Sequence, residues 1–149
     1  MALGSDAAAH PTVSLFVDTS MWYAAADAGD RGNAQAREVL SAGESLVATD
    51  HVLVETWLLG RRRLGRHAAD GLWDGLRGGI ASIEAVTLAD LEVARGIREG
   101  YPDQDFSIVD LTSFTVMQRL GLQRVATFDS DFAVYRYGPK RGRAFTVVR

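Results

Sequence analysis

Short apolar runs that each give way to a capped helix constrain this chain more than any other feature. Val13–Val17 (VSLFV) is apolar and β-branched, and it stops at Asp18-Thr19-Ser20. A run that short, bounded by turn and cap residues, predicts a buried strand. Leu46–Ala48, Ile80–Val86, Arg124–Thr127 and Phe145–Val148 repeat the pattern. Between them the apolar spacing becomes helical. Ser20–Ala28 reads as a helix capped by Thr19 or Ser20. A second, capped by Asp30, runs to about Ala42, where Gly43 closes it. Thr49 or Asp50 caps a third, which carries Arg61, Arg62 and Arg63 in its last turn and breaks at Gly65. Further helices are predicted from Arg66 to about Leu76, from Leu88 to about Glu99 after Thr87, and from Ser107 to Leu120 before Gly121. A short helix over 129–134 completes the set. Strands alternating with helices argue for an α/β fold: a central, mainly parallel sheet of about four to five strands with helices on both faces.

With 149 residues the chain has one domain's worth of length, enough to bury roughly 70% of its unfolded surface. We assign the domain to residues 13–149, with a basic C-terminal segment (135–149) that ends in a strand, and read residues 1–12 as a disordered leader. There is no cysteine, so a disulfide scaffold and thiolate metal sites are excluded, and with three scattered histidines a histidine-rich metal site is not expected. Carboxylates remain as ligands for a hard cation. No run approaches the roughly 18–20 apolar residues of a membrane span. The N-terminus lacks the basic and apolar regions of a signal peptide, so the expected location is cytoplasmic.

Charge is unevenly spread. Residues 1–60 carry 2 basic and 8 acidic side chains, and residues 79–134 carry 4 and 9. Residues 61–78 carry 5 basic and 2 acidic, and residues 135–149 carry 5 basic and none acidic. Two basic segments thus interrupt an acidic chain, as a phosphate-binding surface would; a solvated helix face and a basic tail are the bland alternative.

Ligands of open α/β sheets bind outside the carboxyl ends of the strands. The polar residues predicted there are nearly all acidic. Asp18 ends the first strand, and Glu55 follows the second in the opening turns of its helix. Asp110 lies in the first turn after Ser107, and Asp129 follows the fourth strand. Each has a structural explanation as a cap, a capping-box member or a first-turn acid. Together they are harder to dismiss. The surroundings LFV-D-TS, VLV-E-TW and SIV-D-LT are strongly apolar, and no matching basic residues lie nearby in sequence. Half-buried carboxylates without partners cost several kcal/mol each, and converging ones raise one another's pKa. A shared Mg²⁺ or Mn²⁺ removes both costs and accepts a phosphate oxygen, which is the apparatus of metal-assisted phosphodiester hydrolysis.

The segments FVDTSMWYA (16–24), ATDHVLVETW (48–57), DQDFSIVDLTSFTVM (103–117) and VATFDSDF (125–132) together resemble a PIN-domain ribonuclease, specifically a VapC-type toxin of a type II toxin–antitoxin system. The resemblance implies that Asp18, Glu55, Asp110 and Asp129 form the catalytic, metal-binding quartet. Asp18 and Asp110 match the positions that hold the metal directly, and Glu55 and Asp129 those that complete the site. Thr19, Ser20 and Thr127 match small polar residues that brace the carboxylates. Asp105 and Asp131 match less regular acidic positions and are not assigned as ligands. The implied activity is Mg²⁺- or Mn²⁺-dependent endoribonuclease action on structured RNA, tRNA or rRNA, by an activated water. The implied partners are a cognate VapB-type antitoxin and a second copy in a homodimer. Arg61, Arg62 and Arg63 are candidate RNA contacts. His51, one turn before Glu55, and the aromatic residues Trp22, Tyr23, Trp57 and Trp73 are expected to serve packing first. The rival reading is a catalytically silent PIN-fold module that binds RNA or antitoxin. An α/β phosphatase is disfavoured, because the first strand ends Asp18-Thr19-Ser20 with no second acid at the spacing of a DxDxT nucleophile strand.

Overall fold

The computed structural model describes residues 14–149; the expected leader (1–12) and Val13 lie outside the described residues. Five short strands form one sheet: β1 (Leu15–Val17), β2 (Leu46–Thr49), β3 (Ser82–Glu84), β4 (Arg124–Ala126) and β5 (Thr146–Val148). Their spatial order is β3-β2-β1-β4-β5, and every neighbouring pair is parallel. Phe16 pairs with Val47 on one side and Val125 on the other, so β1 is the central strand. The chain builds to one side of β1 through β2 and β3, then returns to the other through β4. The carboxyl end of β1, beside β4, is therefore the crevice where such sheets bind ligands.

Among the described residues, seven α-helices connect the strands: α1 (Thr19–Ala26), α2 (Asn33–Leu40), α3 (Asp50–Leu64), α4 (Arg66–Gly75), α5 (Leu88–Glu99), α6 (Ile108–Leu120) and α7 (Asp131–Val134). Several boundaries follow the expected signals. The Thr49 side chain caps α3 by accepting from the Val52 amide at 3.0 Å. Gly65, with φ 98°, separates α3 from α4. Thr87 and Asp90 form a capping box on α5, as Ser107 and Asp110 do on α6. Gly121 ends α6 in the left-handed conformation, φ 72°.

Other boundaries differ. Thr19 and Ser20 do not cap α1; Asp18 occupies the cap position and its side chain makes no capping bond, because its carboxylate faces β4 instead. Asp30 does not cap α2 either. It accepts from the Gly32 amide at 2.8 Å in a turn, and the helix starts at Asn33 and ends at Leu40. The third strand is only Ser82–Glu84, because the preceding helix continues through a wider turn over Leu76–Ile80 that breaks at Gly79 (φ 105°).

The inner strands are buried on both faces, with Leu15, Phe16, Val17, Val125 and Ala126 fully enclosed, while the edge strands β3 and β5 are partly exposed. On the β4–β5 side an aromatic cluster fills the layer under α6. Phe114 stacks on Tyr135 at 4.4 Å and meets Phe106 and Phe132 edge-on at 5.2 and 5.0 Å. Burying one such ring contributes about 2–3 kcal/mol, so α6, which carries Asp110, sits on a rigid base. Trp22 is also core, donating from Nε1 to the Val17 carbonyl at 3.1 Å. Trp57 and Trp73 pair edge-to-face at 6.4 Å, with Trp73 partly exposed. The basic tail is folded: Tyr137 and Arg143 pair antiparallel, Arg141 lies 4.2 Å over the Tyr101 ring, and β5 adds to the sheet. No helix among the described residues is long and apolar enough to cross a membrane.

Candidate active site

The loop after β4 is stapled to the end of β1. Thr127 Oγ1 donates to Asp18 Oδ2 at 2.9 Å and accepts from the Asp129 amide at 2.9 Å. Ser20 Oγ donates to the same carboxylate oxygen at 3.2 Å and accepts from the Phe128 amide at 2.9 Å. The Asp129 carboxylate then accepts from the Asp131 amide at 2.9 Å, which turns the backbone so that Asp129 and Asp131 share a side. Ser20 and Thr127 thus orient Asp18 from one flank. Thr19 lines the cleft too, and its buried hydroxyl has no hydrogen-bond partner among the described residues.

Asp18, Glu55, Asp110 and Asp129 all line one cleft of about 540 Å³, together with Thr19, Ser20, Ser107, Asp105, Asp131 and Arg62. Residues from the β1–α1 junction, α3, the start of α6 and the turn after β4 meet there. The four acids expected to converge therefore do so. The tightest grouping is a different subset: one oxygen from each of Asp110, Asp129 and Asp131 lies within 4.8 Å of the others. Asp131 was left out of the expected ligands. Its signal in the sequence was the Asp129-Ser130-Asp131 spacing, whose meaning depends on the turn between the two acids. Asp105 lines the cleft outside that trio.

Electrostatics match the geometry. Burial pushes the Asp18 carboxyl up to about 6, opposed by the Thr127 hydroxyl and the Thr19 amide and reinforced by the negative charges of Glu55 and Asp129. Burial also pushes Asp110 up to about 8, reinforced by Asp129 and Asp18 and by a hydrogen bond to Asp131. Asp131 is raised as well, first by burial. Asp110 completes the capping box, accepting from the Ser107 amide at 3.2 Å, yet that bond does not offset the burial and the neighbouring negative charge. Its role as a cap and its place in the acid cluster therefore coexist. An all-oxygen donor set in which burial first, and neighbouring negative charge second, raises the Asp18, Asp110 and Asp131 carboxyls suits a hard divalent cation.

The three consecutive arginines diverge. Arg62 reaches the acid cleft, and Arg63 lies 5.3 Å over the Tyr23 ring in the adjoining cavity. Arg61 is exposed. His51 Nδ1 is 3.3 Å from Thr112 Oγ1, a contact between α3 and α6 that fits its expected packing role.

Similarity to known proteins points the same way. The PIN domain family profile matches residues 15–136. The chain is 39% identical over 121 residues to the 23S rRNA-specific endonuclease VapC20 of Mycobacterium tuberculosis, covering 80% of this chain and 92% of that protein. It is 29% identical over 136 residues to ribonuclease VapC26 of the same organism, covering 90% and 99%. The crystal structure of VapC20, described as a sarcin–ricin loop cleaving toxin, superposes with a TM-score of 0.76 at 36% identity, covering 80% of this chain and 93% of that one. VapBC2 of Rickettsia felis, bound to a promoter DNA fragment, shares the fold, with a TM-score of 0.64 at 11% identity over 91% and 97% of the two chains. An acid-lined cleft at the carboxyl end of the central strand, on a sheet that superposes on VapC20, places this chain in the PIN-domain family as a nuclease of the VapC type.

Proposed function

We propose that this chain is a Mg²⁺- or Mn²⁺-dependent endoribonuclease that cuts structured RNA, with ribosomal RNA the first substrate to test. The observation that carries this reading is the convergence of Asp18, Glu55, Asp110 and Asp129, with Asp131, in one cleft beside Arg62. The relatedness to an rRNA-specific endonuclease supports the substrate class.

Asp18, Asp110 and Asp129 are the residues that would hold the ion, with Asp131 as a further donor. When bound, a divalent ion supplies positive charge and Lewis acidity toward the phosphate. Thr127 and Ser20 keep the Asp18 carboxylate from rotating. Glu55, projecting from α3, accepts a hydrogen bond from water in the cleft and orients it toward the phosphorus. Arg62 pairs with a non-bridging phosphate oxygen. The Ser20 and Thr127 hydroxyls are engaged in bracing Asp18 and the Ser107 hydroxyl in capping α6, so attack by water rather than by a side-chain hydroxyl is the proposed route. The acid-rich groove also suits the basic tail of a VapB-type antitoxin, and a homodimer working in the cytoplasm completes the proposal.

The test is cleavage of 23S rRNA and of a tRNA pool by the purified protein with Mg²⁺, with Mn²⁺ and with EDTA. Metal-dependent cuts at one or few rRNA positions, lost in Asp110→Asn, are the expected result. Discrete cuts confined to tRNA would correct the substrate. Cleavage unaffected by EDTA would overturn the metal reading.

A further inference from the structure

The acid cleft does not end at the carboxylates. Ser20 and Leu59 line both it and a neighbouring cavity of about 470 Å³, whose other walls are Tyr23, Asp30, Arg31, Gly32, Arg63 and Phe128. The two cavities thus share a wall, but their chemistry differs. The first is acidic. The second is mixed and carries net positive charge, with a half-buried Phe128 ring, two arginines, and Asp30, whose carboxylate is engaged by the Gly32 amide. The Tyr23 ring is buried, its hydroxyl donates to Asp27 at 2.5 Å, and the Arg63 guanidinium is held 5.3 Å from its centroid. Tyr23 is therefore spoken for, and Phe128 is the ring left to face a ligand.

The Phe128 ring is placed, not incidental. Its amide is tied to Ser20 Oγ, and hence to Asp18, at the edge of the acid site. On its other side stands Gly32, where a Cβ would come within 2.7 and 2.8 Å of the ring carbons. Gly32 has an ordinary backbone conformation (φ −90°, ψ 4°), so its lack of a side chain is what leaves the ring its room.

Resting on the ribonuclease reading, we propose that this cavity is a nucleotide subsite. It receives the base next to the scissile phosphate by stacking on Phe128, and Arg63 and Arg31 hold that nucleotide's phosphate. Stacking on an aromatic ring suits any base, while arginine suits the phosphate. A strand crossing the acid cleft enters this cavity with its next residue. Arg62 and Arg63, neighbours on the last turn of α3, would then serve successive phosphates.

The experiment titrates the four nucleoside 5′-monophosphates into the full-length protein in EDTA, where the acid cleft repels phosphate, and follows ring resonances by NMR. At least one nucleotide should shift Phe128 signals. Phe128→Leu, which keeps an apolar side chain but no π face, should weaken that binding about tenfold. Arg63→Gln should do so by about fivefold. Gly32→Ala, which forces the ring aside, should weaken it comparably while the melting temperature stays within a few degrees. Arg31→Gln, an exposed change that cannot unfold the protein, should weaken it severalfold. Cleavage of RNA by the wild type is measured in parallel. Intact cleavage with no nucleotide-dependent shift at Phe128, or with affinities unchanged in Phe128→Leu and Arg31→Gln, would overturn the subsite and leave the nuclease reading standing. A wild type that cuts no RNA would overturn both.

Discussion

Asp18→Asn tests whether the central carboxylate is held at a cost that a cation relieves. Asparagine keeps the shape and one oxygen to accept from Thr127 and Ser20, but removes the charge. Because Asp18 is raised from 3.8 to about 6 in the folded state, the native protein keeps this proton over a range where the unfolded chain has lost it. Stability of the metal-free wild type therefore falls as pH rises from about 4 through 6, then levels off. The whole shift corresponds to about 3 kcal/mol, and about 1.4 kcal/mol of it falls between pH 5 and 8. The variant lacks this loss. Urea unfolding in EDTA at the two pH values should show the stability gap widening in favour of Asn by about 1.4 kcal/mol. The true value should be somewhat larger, because removing the Asp18 charge also relieves Asp110. Comparing the gap at two pH values cancels any pH-independent effect of the substitution on packing. Added Mn²⁺ should stabilise the wild type and not the variant, and RNA cleavage should disappear. A gap that does not change with pH, or an Asn variant that still cuts RNA, would refute this account of Asp18.

Mn²⁺ must displace the proton that Asp110 retains up to about pH 8, so its thermal stabilisation should be small at pH 6 and grow toward pH 8; an equal shift across that range would count against Asp110 as a ligand. Replacing Arg61, Arg62 and Arg63 with Gln in an Asp18→Asn background should flatten the salt dependence of RNA binding. Arg62→Gln alone should lower the slope by about 1. Outside the site, Asp90 is buried, caps α5 and receives two bonds from Arg119 at 3.0 and 2.9 Å. Asp90→Ala should cost about 2–3 kcal/mol in urea unfolding. Although burial opposes it, these hydrogen bonds hold the Asp90 carboxyl below 3.8. Its stabilisation is therefore present above that pH and lost as pH falls through the lower folded value, so the gap to Asp90→Ala should narrow in acid.

The alternation of apolar runs and helices determined the sheet class, because a strand buried on both faces and an amphipathic helix leave different periodicities in the sequence. Cap chemistry was legible wherever the cap bonds within four residues, as Thr49, Thr87 and Ser107 do. It failed at the start of α1, where Asp18 and Ser20 bond to partners more than 100 residues away and Thr19 makes no capping bond, and at Asp30, which closes a tight turn. The quartet was legible because charged groups in apolar surroundings need a reason to be there, and because the segments around them resembled one family. Tertiary structure decided how the acids meet. Asp131 joins Asp110 and Asp129 only because the turn after β4 brings its carboxylate round beside theirs. It also decided which of three consecutive arginines faces the acids, since successive residues on a helix point about 100° apart and only packing of α3 fixes the zero of that rotation. The pairing of Gly32 with Phe128 is of the same kind: a missing Cβ has meaning only opposite the ring it makes room for, and sequence does not reveal what stands opposite.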